Sequence, residues 1–451
     1  MTLPVHIVVP VYRDALLTRR CLDSLAASGL PVNCWITLID DASPEVGMAE
    51  MLAAFVAAAS GGPLAGEEKN GVPIWELLCN TTNLGFVASV NRGMAHHPGH
   101  DVVLLNSDTE VPPGWLQRLR SAAYRRNDIG TVTPFSNCAS LASYPVPSVE
   151  NALPENFLLE KLDRFFQSAN AGNAVDIPTG VGFCLFIRRD CLDETGVFDE
   201  AVFGKGYGEE NDFCLRASQR GWAHVLATDC FVYHKGRGSF GEEKDERVRQ
   251  AYALLVARYP HYPALIQRHF SENPARPFRF RVDLLRLAES MSGIRLVVAS
   301  AQPPADNLTV SACAVPMLQL SPFRARHFML RWLNDGEAFK LWFRLPEELD
   351  DLRALLLTLP VTDIQGDSQF WLTQNLSALK GASGQGQAPV QLFDLIARHC
   401  APQLSGWPAL RQTLAAHGSR LSGSRLLQPL AALLPQAVRS RMRDWIKASR
   451  T

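Results

Sequence analysis

Four short polar segments carry side chains able to do chemistry: Val8-Val-Pro-Val-Tyr-Arg-Asp14, Ile39-Asp-Asp-Ala-Ser43, Asn80 to Gly85, and Asn106-Ser-Asp-Thr109. Each follows an apolar run, and in open parallel α/β sheets ligands bind beyond the carboxyl ends of the strands. Converging strand ends would make the four segments one acid-lined pocket. The first segment lacks the GxGxxG pattern that lets a backbone approach a pyrophosphate, which argues against a nicotinamide-dependent dehydrogenase. Local roles compete at every position. Asp40, Asp41 and Ser43 suit a strand end and a helix cap, Asn83-Leu-Gly85 suits a turn, and Asp108 stands shortly before Pro112-Pro-Gly114.

The elements that must position these segments read as alternating strands and helices. Strands are expected at Val5 to Val11, Asn33 to Ile39, Ile74 to Cys79 and Val102 to Leu105. Ala15 to Ser28 has apolar residues at helical spacing and stops before Gly29, Ser43-Pro44-Glu45 has the chemistry of a helix start, and a third helix begins near Phe86. Gly61 to Pro73 reads as a surface loop. This rhythm predicts an α/β fold with a mostly parallel central sheet and helices on both faces. Further on, an amphipathic piece is expected near Glu155 to Gln167 and strands at Val181 to Ile187, Ala223 to Ala227 and Cys230 to Tyr233. Helices are expected from Glu209 to Gly221 and from Glu242 to Arg258. Pro260, Pro263, Pro274 and Pro277 then suggest a boundary, dividing the chain into a domain at 1–270, a linker at 271–282, a small α/β or helical region at 283–380 and a linker with a basic tail at 381–451.

Composition narrows the partners. The 451 residues hold 44 basic and 45 acidic side chains, so no global attraction to nucleic acid is expected. Ten cysteines without a CxxC pair suggest reduced thiols rather than a zinc ribbon or disulfide scaffold. No basic leader precedes the first strand and no apolar run approaches the roughly 18 residues of a membrane span, so a cytoplasmic protein is expected, soluble or peripheral on the membrane's inner face. From Arg420 to Thr451 six arginines and Lys447 alternate with apolar residues against a single acid, Asp444. That tail suits either contact with an anionic membrane or a packed helix with a solvated cationic face, and Pro429 and Pro435 interrupt it.

Taken in order, seven motifs resemble the family 2 glycosyltransferases of GT-A fold. They are Val8-Val-Pro-Val-Tyr12, Leu38-Ile-Asp-Asp-Ala-Ser43, Asn83-Leu-Gly-Phe86 with Asn91-Arg-Gly93, Leu104 to Val111, Thr179-Gly-Val-Gly-Phe183, Gly206-Tyr-Gly-Glu-Glu-Asn-Asp-Phe213 and Val232 to Ser239. The resemblance implies a nucleotide-sugar donor, a divalent cation (Mg²⁺ or Mn²⁺), and transfer with inversion to a hydroxyl of a glycan or lipid-linked glycan acceptor, as in bacterial surface polysaccharide synthesis. Residues 283–360, with Pro346 to Arg353 the clearest fragment, faintly resemble the start of a GT-B type module. A non-catalytic glycan-binding or scaffold protein that retains the fold is the alternative.

The resemblance also implies roles for single residues. Asp108 would supply an oxygen ligand to a hard cation that bridges the donor phosphates and stabilises the charge of the leaving group. Asn106 replaces an aspartate common in the family's metal motif, which leaves it a hydrogen-bonding role. His234 would help hold the metal or the diphosphate, with Lys235 and Arg237 as phosphate donors. Inverting transfer needs a base for the acceptor hydroxyl. Glu210, second of the family's acidic pair, is the expected base, with Glu209 its competitor and Asp212 a weaker third, although acids at a helix start also complement the macrodipole. Pro10, Tyr12 and Asp41 would receive the nucleotide base. Asn83 and Gly85 would neighbour the donor, and Gly180 and Gly182 would let the backbone approach the sugars.

Overall fold

The computed structural model describes residues 3–60, 73–151, 153, 158–204, 206–236, 241–289, 293–300, 316–324, 326–333, 337–366, 369–377 and 389–400. The chain opens with β1 (Val5–Val11), α1 (Ala15–Ala27), β2 (Cys34–Asp40), α2 (Met48–Ala59), β3 (Ile74–Cys79), α3 (Phe86–His96) and β4 (Asp101–Leu105). β5 (Thr109–Glu110), α4 (Trp115–Ala123), β6 (Ile129–Phe135), α5 (Leu159–Asn170), β7 (Ala174–Ile177), β8 (Cys184–Ile187), α6 (Arg189–Thr195), α7 (Glu200–Phe203), α8 (Glu209–Ser218), β9 (Ala223–Phe231) and β10 (Tyr233–His234) follow. The third part comprises α9 (Gly241–Arg258), α10 (Tyr262–Glu272), α11 (Arg276–Ala288), β11 (Ile294–Val298), β12 (Met317–Arg324), β13 (His327–Leu333), β14 (Glu337–Arg344), α12 (Leu349–Leu357), β15 (Val361–Gly366), α13 (Trp371–Ser377) and α14 (Pro389–His399).

Eight strands form the main sheet in the order β3-β2-β1-β4-β8-β6-β9-β7. β3, β2, β1 and β4 run parallel, β8 is antiparallel to both β4 and β6, and β9 is parallel to β6. It follows that β1, β2, β3, β4, β6 and β9 all point one way, and their carboxyl ends share an edge with the beginning of β8. Strands covered on both faces read as continuous apolar runs, and β1 shows it: Ile7 and Val9 belong to the core on one face with Leu22 and Trp115, while Val8 belongs to the core on the other with Val87 and Val90. A Cβ at Gly93 would collide with the Val8 side chain, so the glycine of Asn91-Arg-Gly93 lets α3 lie directly on β1.

A second sheet has the order β14-β13-β12-β11-β15, with β12 to β14 an antiparallel meander and β11 parallel to both of its neighbours. It has its own core around Leu296, Leu320, Leu330, Leu341 and Phe343. Open nucleotide-binding α/β halves use mostly parallel sheets, and this meander departs from that plan.

Several expectations are corrected here. Residues 271–282 are not a linker. They contain the start of α11, whose Val282 joins the first core and whose Phe280 and Leu284 join the second. Arg279 on this helix donates to the carbonyls of Ser143 (2.9 Å) and Leu141 (2.7 Å), and the Tyr144 hydroxyl donates to Asp283 (2.5 Å). Pro263 and Pro277 occupy the first turns of α10 and α11, where a missing N–H costs nothing, so they mark helix starts and not a domain boundary. The Ser43-Pro44-Glu45 helix start is also displaced. Ser43 Oγ accepts from the Arg13 amide (3.1 Å), Glu45 accepts from the Ala15 amide (3.2 Å), and α2 begins only at Met48. Most of the loop expected at Gly61 to Pro73, and all of the tail at 401–451, lie outside the described residues. Among the described residues no helix is long and apolar enough to cross a membrane.

Candidate active site

The buried end of β4 sets the first functional side chain. The Asn106 amide donates to the Phe183 carbonyl (2.8 Å), carrying the β4–β8 pairing one residue past the strand. The Asn106 carbonyl then accepts from Thr109 N (3.2 Å) and Thr109 Oγ1 (2.7 Å), which closes a tight turn holding Asp108. β5 pairs with β10 so that His234 faces Thr109, and the Lys235 amide donates to the Asp108 carbonyl (3.0 Å). This small ribbon brings His234 Nε2 to 3.4 Å from Asp108 Oδ1.

Two neighbours fix the imidazole. Asn137, just past β6, clamps the His234 backbone, donating from Nδ2 to its carbonyl (2.8 Å) and accepting its amide at Oδ1 (2.9 Å). His234 Nδ1 lies 2.7 Å from the Cys138 carbonyl, an acceptor only, so Nδ1 carries the proton and Nε2 is the atom turned toward Asp108. The Phe183 ring stacks on the imidazole at 5.0 Å between centroids. Burial opposes a charge on His234, but the hydrogen bonds to Asp108 and Cys138 outweigh it and raise the pKa to about 10.

The acidic pair stands at the first turn of α8, after a loop in which Gly206, Tyr207 and Gly208 all have positive φ (124°, 76° and 87°). Only glycine adopts that region readily, and Tyr207 is held there between two of them. Glu209 points inward: it is 5% exposed and its Oε2 has no hydrogen-bond partner among the described residues. Burial, then the charge of Glu210, pushes its pKa well above the usual carboxylate range. Glu210 is half-buried against Gly182, where a Cβ would lie 3.7 Å from the carboxyl carbon. Burial raises its pKa too, opposed by hydrogen bonds from amides at the helix start. The next residue, Asn211, accepts from Thr179 Oγ1 (3.1 Å) and the Tyr262 hydroxyl (2.7 Å), which anchors this turn.

Asp212, the third candidate base, is committed elsewhere. It is fully buried and takes Arg216 (2.7 Å), Arg258 (2.7 Å) and the Tyr259 hydroxyl (2.9 Å), so it ties α8 to α9. Asp41 is likewise occupied. Its Oδ1 accepts from Asn80 Nδ2 and Leu84 N, and its Oδ2 from Asn83 Nδ2 and Gly85 N, all at 2.8–2.9 Å. The carboxylate expected to meet a nucleotide base is instead the clamp of the β3–α3 turn, and Asn83 and Gly85 are its partners. Gly180 also has a packing reason: a Cβ there would lie 2.5 Å from Leu185 Cδ1. Pro10 and Tyr12 are half-buried at the end of β1, on the site edge, and the Arg13 guanidinium sits 5.2 Å from the Tyr12 ring. Arg237 lies outside the described residues.

Contacts join Asp108 to His234 and His234 to Phe183, and the adjacent Gly182 faces Glu210 across a space that a Cβ would fill. Phe183 appeared in the motifs without a role, and Asn137 and Cys138 were missed. Each belongs to the same sheet edge, so the rule that ligands gather at strand ends would have found Asn137 after β6. Residues 6–196 match the family model described as "Glycosyl transferase family 2". Over those residues the chain is similar to the family 2 glycosyltransferases.

Two curated relatives are similar to parts of the chain. The glycosyltransferase AglE of Haloferax volcanii is 22% identical over 242 residues, covering 53% of this chain and 70% of the relative. An uncharacterized protein of Mycobacterium tuberculosis is 26% identical over 177 residues, 39% of this chain and 60% of that protein. Among solved structures, the mannosyltransferase PcManGT from Pyrobaculum calidifontis, in complex with GDP-Man and Mn²⁺, has a TM-score of 0.42 at 16% identity, over 64% of this chain and 75% of that one. TarS 1–349 of S. aureus, in complex with UDP-GlcNAc, has a TM-score of 0.40 at 14% identity, over 64% of this chain and 80% of that one. The residues that match the family model lie in the mixed eight-stranded sheet and the helices that flank it.

Proposed function

We propose that the protein transfers a sugar from a nucleotide-diphosphate donor to a hydroxyl of a glycan or lipid-linked glycan acceptor, with inversion at the anomeric carbon. The observation that carries this reading is the single wall formed by Asp108, His234, Phe183, Gly182 and Glu210. A carboxylate oxygen beside an imidazole Nε2, with Nδ1 engaged by a carbonyl, is a donor set that suits a divalent cation such as Mn²⁺ or Mg²⁺. Such a cation supplies Lewis-acid stabilisation of the departing diphosphate.

The chain's own groups do the rest. Asn137 holds the His234 backbone, the Cys138 carbonyl keeps a proton on Nδ1 and so aims Nε2 toward Asp108, and Phe183 covers the ring. Glu210 takes the proton of the acceptor hydroxyl as that oxygen attacks the face opposite the leaving group. Gly182 leaves the space in front of its carboxylate open. Asp40, whose Oδ1 accepts from the Ser43 amide at 2.9 Å, replaces Asp41 as the strand-end acid for a nucleotide base, beside Pro10 and Tyr12. The expected setting is the synthesis of a bacterial surface polysaccharide.

Release of nucleotide diphosphate from a panel of nucleotide sugars, with Mn²⁺ or Mg²⁺ and with chelator, tests the proposal. Turnover that needs the cation and disappears in Asp108→Ala supports it. Turnover in chelator, or undiminished in Asp108→Ala, overturns the role given to this pair.

A further inference from the structure

A second group of ligating side chains lies at the opposite end of the sheet. Glu76 on β3 meets His96 and His97, the last residue of α3 and the one after it. Glu76 Oε2 is 2.7 Å from His97 Nε2 and 3.3 Å from His96 Nε2, and one ligating atom from each of the three residues lies within 4.8 Å of the others. His6, two residues into β1, marks this end as remote from the site edge. The five residue steps from His6 to Val11 span about 16 Å at the usual strand rise.

The surroundings are richer in imidazole than a surface ion pair needs. His6 is fully buried; its Nε2 contacts Thr37 Oγ1 at 2.7 Å, while its Nδ1 has no hydrogen-bond partner. Thr37 Oγ1 donates to Glu76 Oε2 (3.2 Å), so it accepts from His6 Nε2–H, and His6 Nδ1 is left with a bare lone pair. The His6 ring lies 4.7 Å from that of His97 and 6.4 Å from that of His96. His100, 5.4 Å from His97, has both ring nitrogens buried without partners. Four imidazoles and a carboxylate are thus gathered here, and the His6 Nδ1 lone pair is unanswered among the described residues.

We propose that Glu76, His96 and His97 form a binding site for a zinc-class divalent metal ion, distinct from the Asp108–His234 pair. Two imidazole nitrogens and one carboxylate oxygen are borderline donors that favour Zn²⁺ over Mg²⁺, which prefers oxygen. In a tetrahedral zinc site with bonds of 2.0–2.1 Å the ligand atoms stand about 3.3 Å apart. The His96–Glu76 distance is already of that size, and the His97–Glu76 hydrogen bond need only open by about half an ångström as the metal replaces the proton between them. Water completes the shell, since His96 is about one-third exposed. Thr37 orients the carboxylate from behind, the outer-shell arrangement of many zinc sites. The bound ion ties β3, at the edge of the sheet, to the end of α3.

The test uses the full-length chain, stripped with chelator and titrated with Zn²⁺ in excess Mg²⁺ by calorimetry, with bound metal counted by mass spectrometry. Asp108→Ala is expected to keep one tightly bound Zn²⁺. His96→Ala and Glu76→Gln are expected to lose it, and Thr37→Val to weaken it by about 10–100-fold, the usual cost of an outer-shell partner. Zinc in hundredfold excess over its Kd should raise the Tm of the wild type by about 3 °C and leave that of His96→Ala unmoved. The metal-free melting curves of His96→Ala and wild type should coincide, and both should transfer sugar equally. The proposal is overturned if the stripped wild type takes up no Zn²⁺, if His96→Ala and Glu76→Gln bind it as tightly as wild type, or if the bound zinc vanishes only in Asp108→Ala.

Discussion

Glu209 and Glu210 adjoin in sequence, yet the structure gives them opposite environments, and that difference can be measured. Glu210 stands over Gly182 at the half-open side of the wall; Glu209 is buried with one oxygen unpartnered. A positioned general base contributes about 10²–10⁴ in rate, or about 3–5 kcal/mol of barrier. Glu210→Gln keeps the size and the neutral hydrogen bonding of the side chain but removes the lone pair that takes the proton. Steady-state kinetics should therefore show kcat reduced by about 10²–10⁴ with donor KM within a few-fold. Glu209→Gln should keep kcat within about tenfold, because its carboxyl is already held neutral by burial and by the charge beside it. The pH profile adds a second readout. Burial raises the pKa of Glu210, and the base works only when deprotonated, so the acid limb of kcat/KM should climb with pH through a midpoint above the ordinary glutamate range. Because the Glu209 carboxyl is already neutral, Glu209→Gln removes no charge from beside Glu210 and should leave that midpoint where it is. A Glu210→Gln enzyme with wild-type kcat, alongside a Glu209→Gln enzyme that is dead, would refute the reasoning and make Glu209 the base.

Other consequences concern residues whose expected roles changed. Asp41→Ala strands four donors at the β3–α3 turn, and at about 1–3 kcal/mol for each buried unpaired group the loss of stability in urea unfolding should exceed about 3 kcal/mol. A variant that unfolds like wild type but no longer binds nucleotide would return Asp41 to base recognition. The two motif glycines should separate cleanly. Gly180→Ala meets Leu185 and should cost about 1–3 kcal/mol of stability with normal activity per folded molecule, whereas Gly182→Ala has room for its Cβ and should melt normally while crowding Glu210 and lowering kcat/KM. The reverse pattern in melting and kinetics would invert the assignments.

What the sequence discloses and what it conceals follows from the range of the forces involved. β1, β2 and β4 are buried on both faces and therefore spell largely apolar runs, while α1 shows its spacing and its stop at Gly29. Strand ends were legible for the same reason: a polar residue directly after such a run must face the edge of the sheet. The roles of the polar residues were harder to read, because a carboxylate's partners come from far along the chain. Asp41 is saturated by groups 39 to 44 residues away, and no local pattern distinguishes such a clamp from an open acceptor. His234 owes its orientation to Asn137 and Cys138, 97 and 96 residues earlier. Prolines misled because the same fixed φ suits a loop and the first turn of a helix, and only the packing of α11 against both cores tells them apart.

One topological fact connects these cases. β8 runs against the strands on either side, so its beginning, Phe183 and Gly182, meets the ends of β4 and β6. Had β8 been parallel, Gly182 would lie at the far edge with His96 and His97, and no contact could run from His234 to Glu210. A sequence pattern of apolar runs does not encode strand direction, since parallel and antiparallel neighbours bury the same residues. The direction is set by the connection: the short turn from Ile187 into α6, whose Arg189 amide donates to Asp101 at 3.0 Å, fixes the end of β8 beside the start of β4. Asp101, fully buried and also taking the Tyr124 hydroxyl at 2.8 Å, thus helps place the candidate site from the opposite edge of the sheet.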